Sequence, residues 1–265
     1  MSSEVSIIGA GNLTVSLLNG IEKIKHTYKI NVIDIDKKKR SIVKKFNINF
    51  FSSYTNVLCK SDLIILMVKP NNYKDVMDSI NPFISDRSII LSFMAGVNTE
   101  KIKNQMDVNI PVVRCMTNIT ISNNKSYIFY FMKSFNKHIN IKLNKFFNKF
   151  SKLKKCKSEE EIDKITALYG SGPAYYIYFN QIIRDSFTAM GYKEKEAIDY
   201  TNDLISGSAN IIKDNKRSDD LIEKIASKGG TTQAALLELN NNKLNNIISK
   251  SIIKAYKKSK NILKK

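Results

Sequence analysis

Cysteine, histidine, arginine and long apolar runs are all scarce in this chain, and each scarcity excludes a class of function. The three cysteines, Cys59, Cys115 and Cys156, stand far apart, with no C-x-x-C pair and an odd count. That excludes a disulfide framework and a zinc site, so no metal is expected and a reducing compartment is. Only two histidines occur, His26 and His138, both in Lys-rich, surface-like contexts. A histidine general acid is therefore not expected. No run reaches the ~18 consecutive apolar residues that a membrane span needs, and the longest, such as 63–68, are strand-length. The opening Met1-Ser2-Ser3-Glu4 shows neither a basic n-region nor an Arg-rich amphipathic leader, from which we expect a cytoplasmic protein.

Arginine supplies only five of the 43 basic residues (Arg40, Arg87, Arg114, Arg184, Arg217), in a chain of formal charge +19. Arg is the side chain suited to bidentate contacts with bases and phosphates. The Lys are spread along the chain among Asn and Ile. The charge therefore reads as a solvated Lys-rich surface and not as a nucleic-acid groove. It still attracts anionic cofactors and acidic substrates.

What is present is a globular composition, 43% hydrophobic and 25% charged over 265 residues, long enough for two ordinary domains. Short apolar runs at 5–9, 30–34, 49–52, 63–68, 89–93, 112–116 and 127–132 read as strands. Several are continuous Ile/Val runs, as in parallel strands covered on both faces. Helix-like stretches separate them, which predicts βαβ units and a doubly wound α/β sheet. The basic stretch 142–157 is expected to carry the last helix and strand of this part.

The pattern changes at Ser158, which with Glu159-Glu160-Glu161 reads as an N-cap and an acidic first turn. Helical periodicity then dominates, at 174–190 (ended by Gly191), 193–213, 219–227, 231–239 and 244–262. The expected division is a doubly wound α/β domain at 1–160 and an all-helical domain at 161–265. The long helices carry more apolar residues than a small bundle can bury, so at least a dimer is expected.

Ile7-Ile8-Gly9-Ala10-Gly11-Asn12-Leu13-Thr14 follows a strand and opens a helix. Gly9 permits the tight turn, and Gly11 lets backbone amides at the helix N-terminus approach a pyrophosphate. Thr14 stands where a third glycine is usual. Asp34 ends the second strand, where a carboxylate bonds the ribose 2′-OH of NADH. Asp36-Lys37-Lys38-Lys39-Arg40 follows and offers cations for the 2′-phosphate of NADPH, so both cofactors stay open. Val68-Lys69-Pro70 and Ala95-Gly96 end two further strands, at the edge where open α/β sheets bind ligands. Gly170-Ser171-Gly172-Pro173 and Lys228-Gly229-Gly230-Thr231-Thr232 each place glycines and hydroxyls before a helix, the second as a receptor for an anion.

In these segments the chain resembles the pyrroline-5-carboxylate reductases. The resemblance rests on Gly9-Ala10-Gly11-Asn12, Val68-Lys69-Pro70, Met94-Ala95-Gly96-Val97, Arg114-Cys115-Met116-Thr117-Asn118, Gly170-Ser171-Gly172-Pro173-Ala174-Tyr175 and Gly229-Gly230-Thr231-Thr232. These appear in the family's order over essentially the whole chain. The resemblance implies a Rossmann domain joined to a helical dimerisation domain, with homodimers often built into larger rings such as decamers. It implies reduction of L-Δ1-pyrroline-5-carboxylate to L-proline by NADPH or NADH, the last step of proline biosynthesis. It also implies roles: Gly229, Gly230, Thr231 and Thr232 for the substrate carboxylate, the Thr232 hydroxyl at the ring nitrogen, and Ser171 for positioning. The cofactor would take Gly9, Gly11, Asn12, Leu13, Asp34, Val68, Lys69, Pro70, Ala95, Gly96 and Asn118. Thr117, Thr120 and Lys228 stand where the family usually has proline. Two other readings are weighed. One is a related reductase of the β-hydroxyacid dehydrogenase type, which needs a catalytic lysine that Lys164, Lys193 and Lys195 do not provide in a motif. The other is a nucleotide-binding protein whose turnover has been impaired by these substitutions.

Overall fold

The computed structural model describes residues 3–134, 136–214 and 217–263. The chain divides into one unit of Met1–Ser171 with Ala255–Lys265 and another of Gly172–Lys254.

The first unit is built on one eight-stranded sheet in the order β3-β2-β1-β4-β5-β6-β7-β8. Its strands are β1 (Glu4–Ile8), β2 (Lys29–Ile33), β3 (Asn49–Phe51), β4 (Leu63–Leu66), β5 (Ile89–Ser92), β6 (Val112–Met116), β7 (Tyr127–Phe131) and β8 (Lys152–Lys155). Successive strand residues point to opposite faces, and β4 is apolar at every position because both its faces are covered. Thus Leu63 and Ile65 of β4 join one core cluster with Val5, Ile7 and Leu91. Ile64 and Leu66 join the other, with Ile8 and Ile90. Helices α1 (Asn12–Glu22), α2 (Arg40–Val43), α3 (Tyr73–Ile80), α4 (Thr99–Lys103), α5 (Lys137–Phe147) and α6 (Glu159–Ile165) alternate with the strands. The Ser158 side chain caps α6 by accepting from the Glu161 N–H, as its sequence predicts.

The sheet is parallel from β3 through β6, but β7 runs antiparallel to β6. A parallel crossover takes a dozen or more residues. The link between Met116 and Tyr127 is shorter and holds only a 3₁₀ turn, Ile119–Asn123. The apolar run at 127–132 shows a strand without showing this reversal. The strand order changes direction between β1 and β4, the place where doubly wound sheets open a ligand crevice.

The unit border follows Ser171, later than the expected 160/161, and 255–265 returns to the first unit. Side-chain contacts explain both. Ile162 packs with Met116 and Cys156, Arg114 pairs with Asp163, and Ser259 Oγ donates to Asp163.

The second unit is helical: α7 (Gly172–Ala189), α8 (Glu194–Asp214), α9 (Ser218–Ile225), α10 (Thr231–Asn241) and the first part of α11 (Leu244–Lys260). Among its described residues only Gly172, Ala197 and Thr201 are buried. Large apolar side chains stand in the open, with Tyr176 71%, Tyr178 65% and Met190 80% exposed. Among the described residues no helix is long and apolar enough to cross a membrane.

Candidate functional site

The site grows from the turn after β1. Gly9 has φ +101°, and a Cβ there would sit 2.8 Å from the Met67 carbonyl oxygen. Only glycine fits. Its N–H donates to the Ile33 carbonyl at 2.8 Å, which ties the turn to β2. Gly11 then N-caps α1 in an extended conformation, with no side chain capping the helix. A Cβ on Gly11 would meet nothing within 4 Å. Uncapped first-turn amides facing open space are what an anion needs at a helix N-terminus, so the residues fit a dinucleotide phosphate. Thr14 is buried and donates to the Gly9 carbonyl at 2.5 Å. That bond explains how a threonine stands where a third glycine is usual.

A pocket of about 300 Å³ opens beside this turn and gathers Gly9, Gly11, Asp34, Val68 and Lys69. The Asp34 carboxylate is held from two sides: Oδ2 accepts from the Ala10 N–H at 2.8 Å and Oδ1 from the Asp36 N–H at 3.0 Å. Burial, and then the Asp34 charge, push the Tyr54 hydroxyl above its usual pKa. Of the basic run that follows β2, only Lys39 lines this pocket. Lys37–Lys39 forms a 3₁₀ turn whose N-cap is Asp36.

A second pocket, about 430 Å³, lies along the same strand ends. It places Asn12, Leu13, Val68 and Pro70 beside Ala95, Asn118 and Ser171. Val68 borders both pockets. Gly96 adjoins the second at φ +68°. Asn118 is fixed at each end of its amide. Its Oδ1 accepts from the Thr120 N–H at 2.9 Å and from the Thr120 hydroxyl at 2.6 Å, and its Nδ2 donates to the Tyr169 carbonyl at 2.8 Å. A proline at 120 would bring neither donor. Thr117 is buried, and its hydroxyl donates to the Tyr127 carbonyl at 2.9 Å. Both substituted positions thus have partners for their hydroxyls, and Thr117 itself lines the pocket.

Thr166–Gly170 is a π-helical turn, closed by the Ser171 N–H to the Thr166 carbonyl at 3.0 Å. Such turns recur at functional sites. The Ser171 hydroxyl also leans on the Thr166 carbonyl, at 3.3 Å.

Residues 229–232 belong to the second unit. Gly230 N-caps α10 without a side-chain cap, and the Gly229 N–H donates to Gln233 Oε1 at 2.6 Å. Thr231 and Thr232 form the helix's first turn, where unpaired amides favour an anion.

Several wall residues escape a reading of the sequence. Tyr54 lines the first pocket, beside the Lys39 that the basic run offered, and Thr166 and Ile262 line the second. Ile262 carries no signal, because its helical period continues unchanged past the point where its neighbours change. Arg114 is hidden as well: it is 1% exposed, and it pairs with Glu159 Oε2 at 2.9 Å and Asp163 Oδ1 at 2.5 Å. Glu159 Oε1 in turn accepts from the Thr99 N–H and hydroxyl. This arginine is structural and does not reach phosphate. Lys164 is an exposed partner of Glu160 at 3.6 Å, and no lysine is among the described residues lining the second pocket.

The chain is similar to known proteins along most of its length. Residues 159–262 match the family model described as pyrroline-5-carboxylate reductase dimerisation, and residues 4–96 match NADP oxidoreductase coenzyme F420-dependent. The pyrroline-5-carboxylate reductase of Staphylococcus epidermidis is 28% identical over 242 residues, 86% of each chain. Among solved structures, the pyrroline carboxylate reductase of Plasmodium falciparum with NADP bound has a TM-score of 0.86 at 24% identity, over 97% of each chain. That of Streptococcus pyogenes has a TM-score of 0.86 at 23% identity, over 98% of each.

Proposed function

We infer the activity from kinship: the chain belongs to the pyrroline-5-carboxylate reductase family. It reduces L-Δ1-pyrroline-5-carboxylate to L-proline, the closing step of proline biosynthesis, and it uses NAD(P)H. Hydride adds to the ring C=N carbon and a proton to the nitrogen. The observation that carries the reading is the pair of pockets meeting at Val68 along the strand ends where the sheet reverses, in a chain whose helical part matches the family's dimerisation domain.

We assign the roles as follows. Gly9, Gly11, Asp34, Val68 and Lys69 hold the adenosine and phosphate portion of the cofactor. Asn12, Leu13, Pro70, Ala95, Gly96 and Asn118 frame the nicotinamide portion. Bound NAD(P)H supplies the hydride. The amides at Gly229, Gly230, Thr231 and Thr232 receive the substrate carboxylate, and the Thr232 hydroxyl holds or delivers the proton at the ring nitrogen. Ser171 positions the ring. A protonated imine is already electrophilic, so orientation does more for it than a strong acid.

The chain oligomerises through its dimerisation domain. The exposed apolar faces of α7 and α8 support a homodimer, which a larger ring such as a decamer would extend. Its three free cysteines suit the cytoplasm.

The test is loss of absorbance at 340 nm when the protein meets Δ1-pyrroline-5-carboxylate, with NADH and NADPH assayed separately. Turnover with either is expected. Folded protein that binds nucleotide and oxidises neither would overturn the reading. Thr232→Ala is expected to lower kcat/KM about 10- to 1000-fold, as other donor deletions do. Unchanged kcat/KM would remove Thr232 from the mechanism.

A further inference from the structure

One wall of the 430 Å³ pocket comes from far along the chain. Helix α11 ends at Lys260, and Ile262 lines the pocket with Ala95 and Ser171. The approach is close: a Cβ on Gly96 would lie 2.2 Å from Ile262 Cγ2 and 2.5 Å from the Ser259 carbonyl oxygen. Any side chain at 96 would displace this turn.

The turn is anchored on both sides of Ile262. Before it, buried Ser259 donates to Asp163 Oδ1 at 3.2 Å, the carboxylate that pairs with Arg114. One turn earlier, the Tyr256 hydroxyl donates to Glu160 Oε1 at 2.6 Å. After it, Leu263 packs on the core cluster that contains Met94 and Val97. A β-branched side chain is stiff at χ1, so a fixed backbone also fixes what Ile262 presents to the pocket.

We propose that Ile262 is the apolar wall of the nicotinamide half of the cofactor site, touching the ring and keeping water from the reacting end. The inference rests on the nucleotide reading of this pocket. Its chemistry is simple. The reduced ring is neutral and the oxidised ring is cationic, so a dry apolar wall favours the reduced form over the oxidised. The wall therefore helps to load the cofactor that carries hydride and to release the one that does not.

The test uses the full chain with Ile262→Ala and the conservative Ile262→Val. NADH binding is read from the cofactor's own fluorescence, and ADP-ribose serves as a probe with the adenosine half and no nicotinamide. Ile262→Ala is expected to weaken NADH by about 5- to 20-fold, from the methylenes lost at a half-buried site. ADP-ribose should stay within about two-fold, because its binding surface lacks this wall. The KM for NADH should rise with the Kd, and Ile262→Val should restore most of both. Equal loss of NADH and ADP-ribose would overturn the proposal, since a structural prop would weaken the whole site. Unchanged NADH affinity would overturn it too. Wild-type protein that binds both probes yet leaves pyrroline-5-carboxylate unreduced would overturn the proposed activity and leave the role of Ile262 standing.

Discussion

In the first unit the short strand Leu63–Leu66 is buried at all four positions, its side chains divided between two cores. In the second, the helix Gly172–Ala189 runs for 18 residues and buries only Gly172. Tyr176, Ile177, Tyr178 and Phe179 follow one another around that helix, all of them more than half exposed. A stretch apolar on all sides belongs inside something. The first unit therefore supplies its own interior, while the second has an interior only when another surface covers it, which is the business of a dimerisation domain. The turns proposed for the nucleotide sit on the self-sufficient part, whereas Gly229–Thr232, proposed for the substrate, open a helix of the other.

The strongest way to break the contrast is to charge the open face. Phe179→Asp in the full chain buries an unpaired carboxylate wherever that face is covered, at a cost of several kcal/mol. Light scattering should show the oligomer falling to a smaller species, with the melting transition of the helical part lowered. An unchanged mass at micromolar concentration would mean that this face stays open in solution. The opposite lesion is Arg114→Met, inside the first unit. It leaves Glu159 and Asp163 without their cation, and breaking such a buried pair costs about 3–5 kcal/mol. A drop in Tm of roughly 10 °C should follow, with the assembled mass unchanged. If mass and Tm fall together, the two units are less separate than their cores indicate. The finest probe touches neither core. Asp34→Asn removes a charge while keeping the acceptor for the Ala10 amide. The ratio of kcat/KM for NADPH over NADH should rise about ten-fold, one pK-unit's worth of free energy, with Tm steady. An unchanged ratio would show that Asp34 does not discriminate at the 2′ position.

Much of this architecture is legible in the sequence because its elements obey local rules. Continuous Ile/Val runs give the central strands, and Ser158 with its acidic turn gives the start of α6. Gly191, at φ +95°, stops α7 as expected. Most of the crest we propose for the cofactor is also readable, since Gly9, Gly11, Asp34 and Val68-Lys69-Pro70 lie at strand ends, where the sheet's period announces itself. What stays hidden depends on partners distant in sequence. The reversal of β7 is set by the length of a link, and the burial of Arg114 by two carboxylates on α6. The return of Ile262 to the Ala95-Gly96 loop is set by packing that its helical period does not record. The substitutions Thr117 and Thr120 look like losses in the sequence. In the structure their hydroxyls are employed, toward the Tyr127 carbonyl and toward Asn118.

The π turn at Thr166–Gly170 has a meaning for descent. A turn of this kind holds one residue more than the α-helix it interrupts, so it behaves as a frame shift written in geometry. Removing one residue would let the turn close as an ordinary α-helical one, with the Thr166 carbonyl accepting four residues on and not five. The bond that now ties the Ser171 N–H to the Thr166 carbonyl would then be exchanged for a shorter-range one. A deletion here would therefore be read in the geometry of the turn, while exchange of the exposed Leu168 side chain would not.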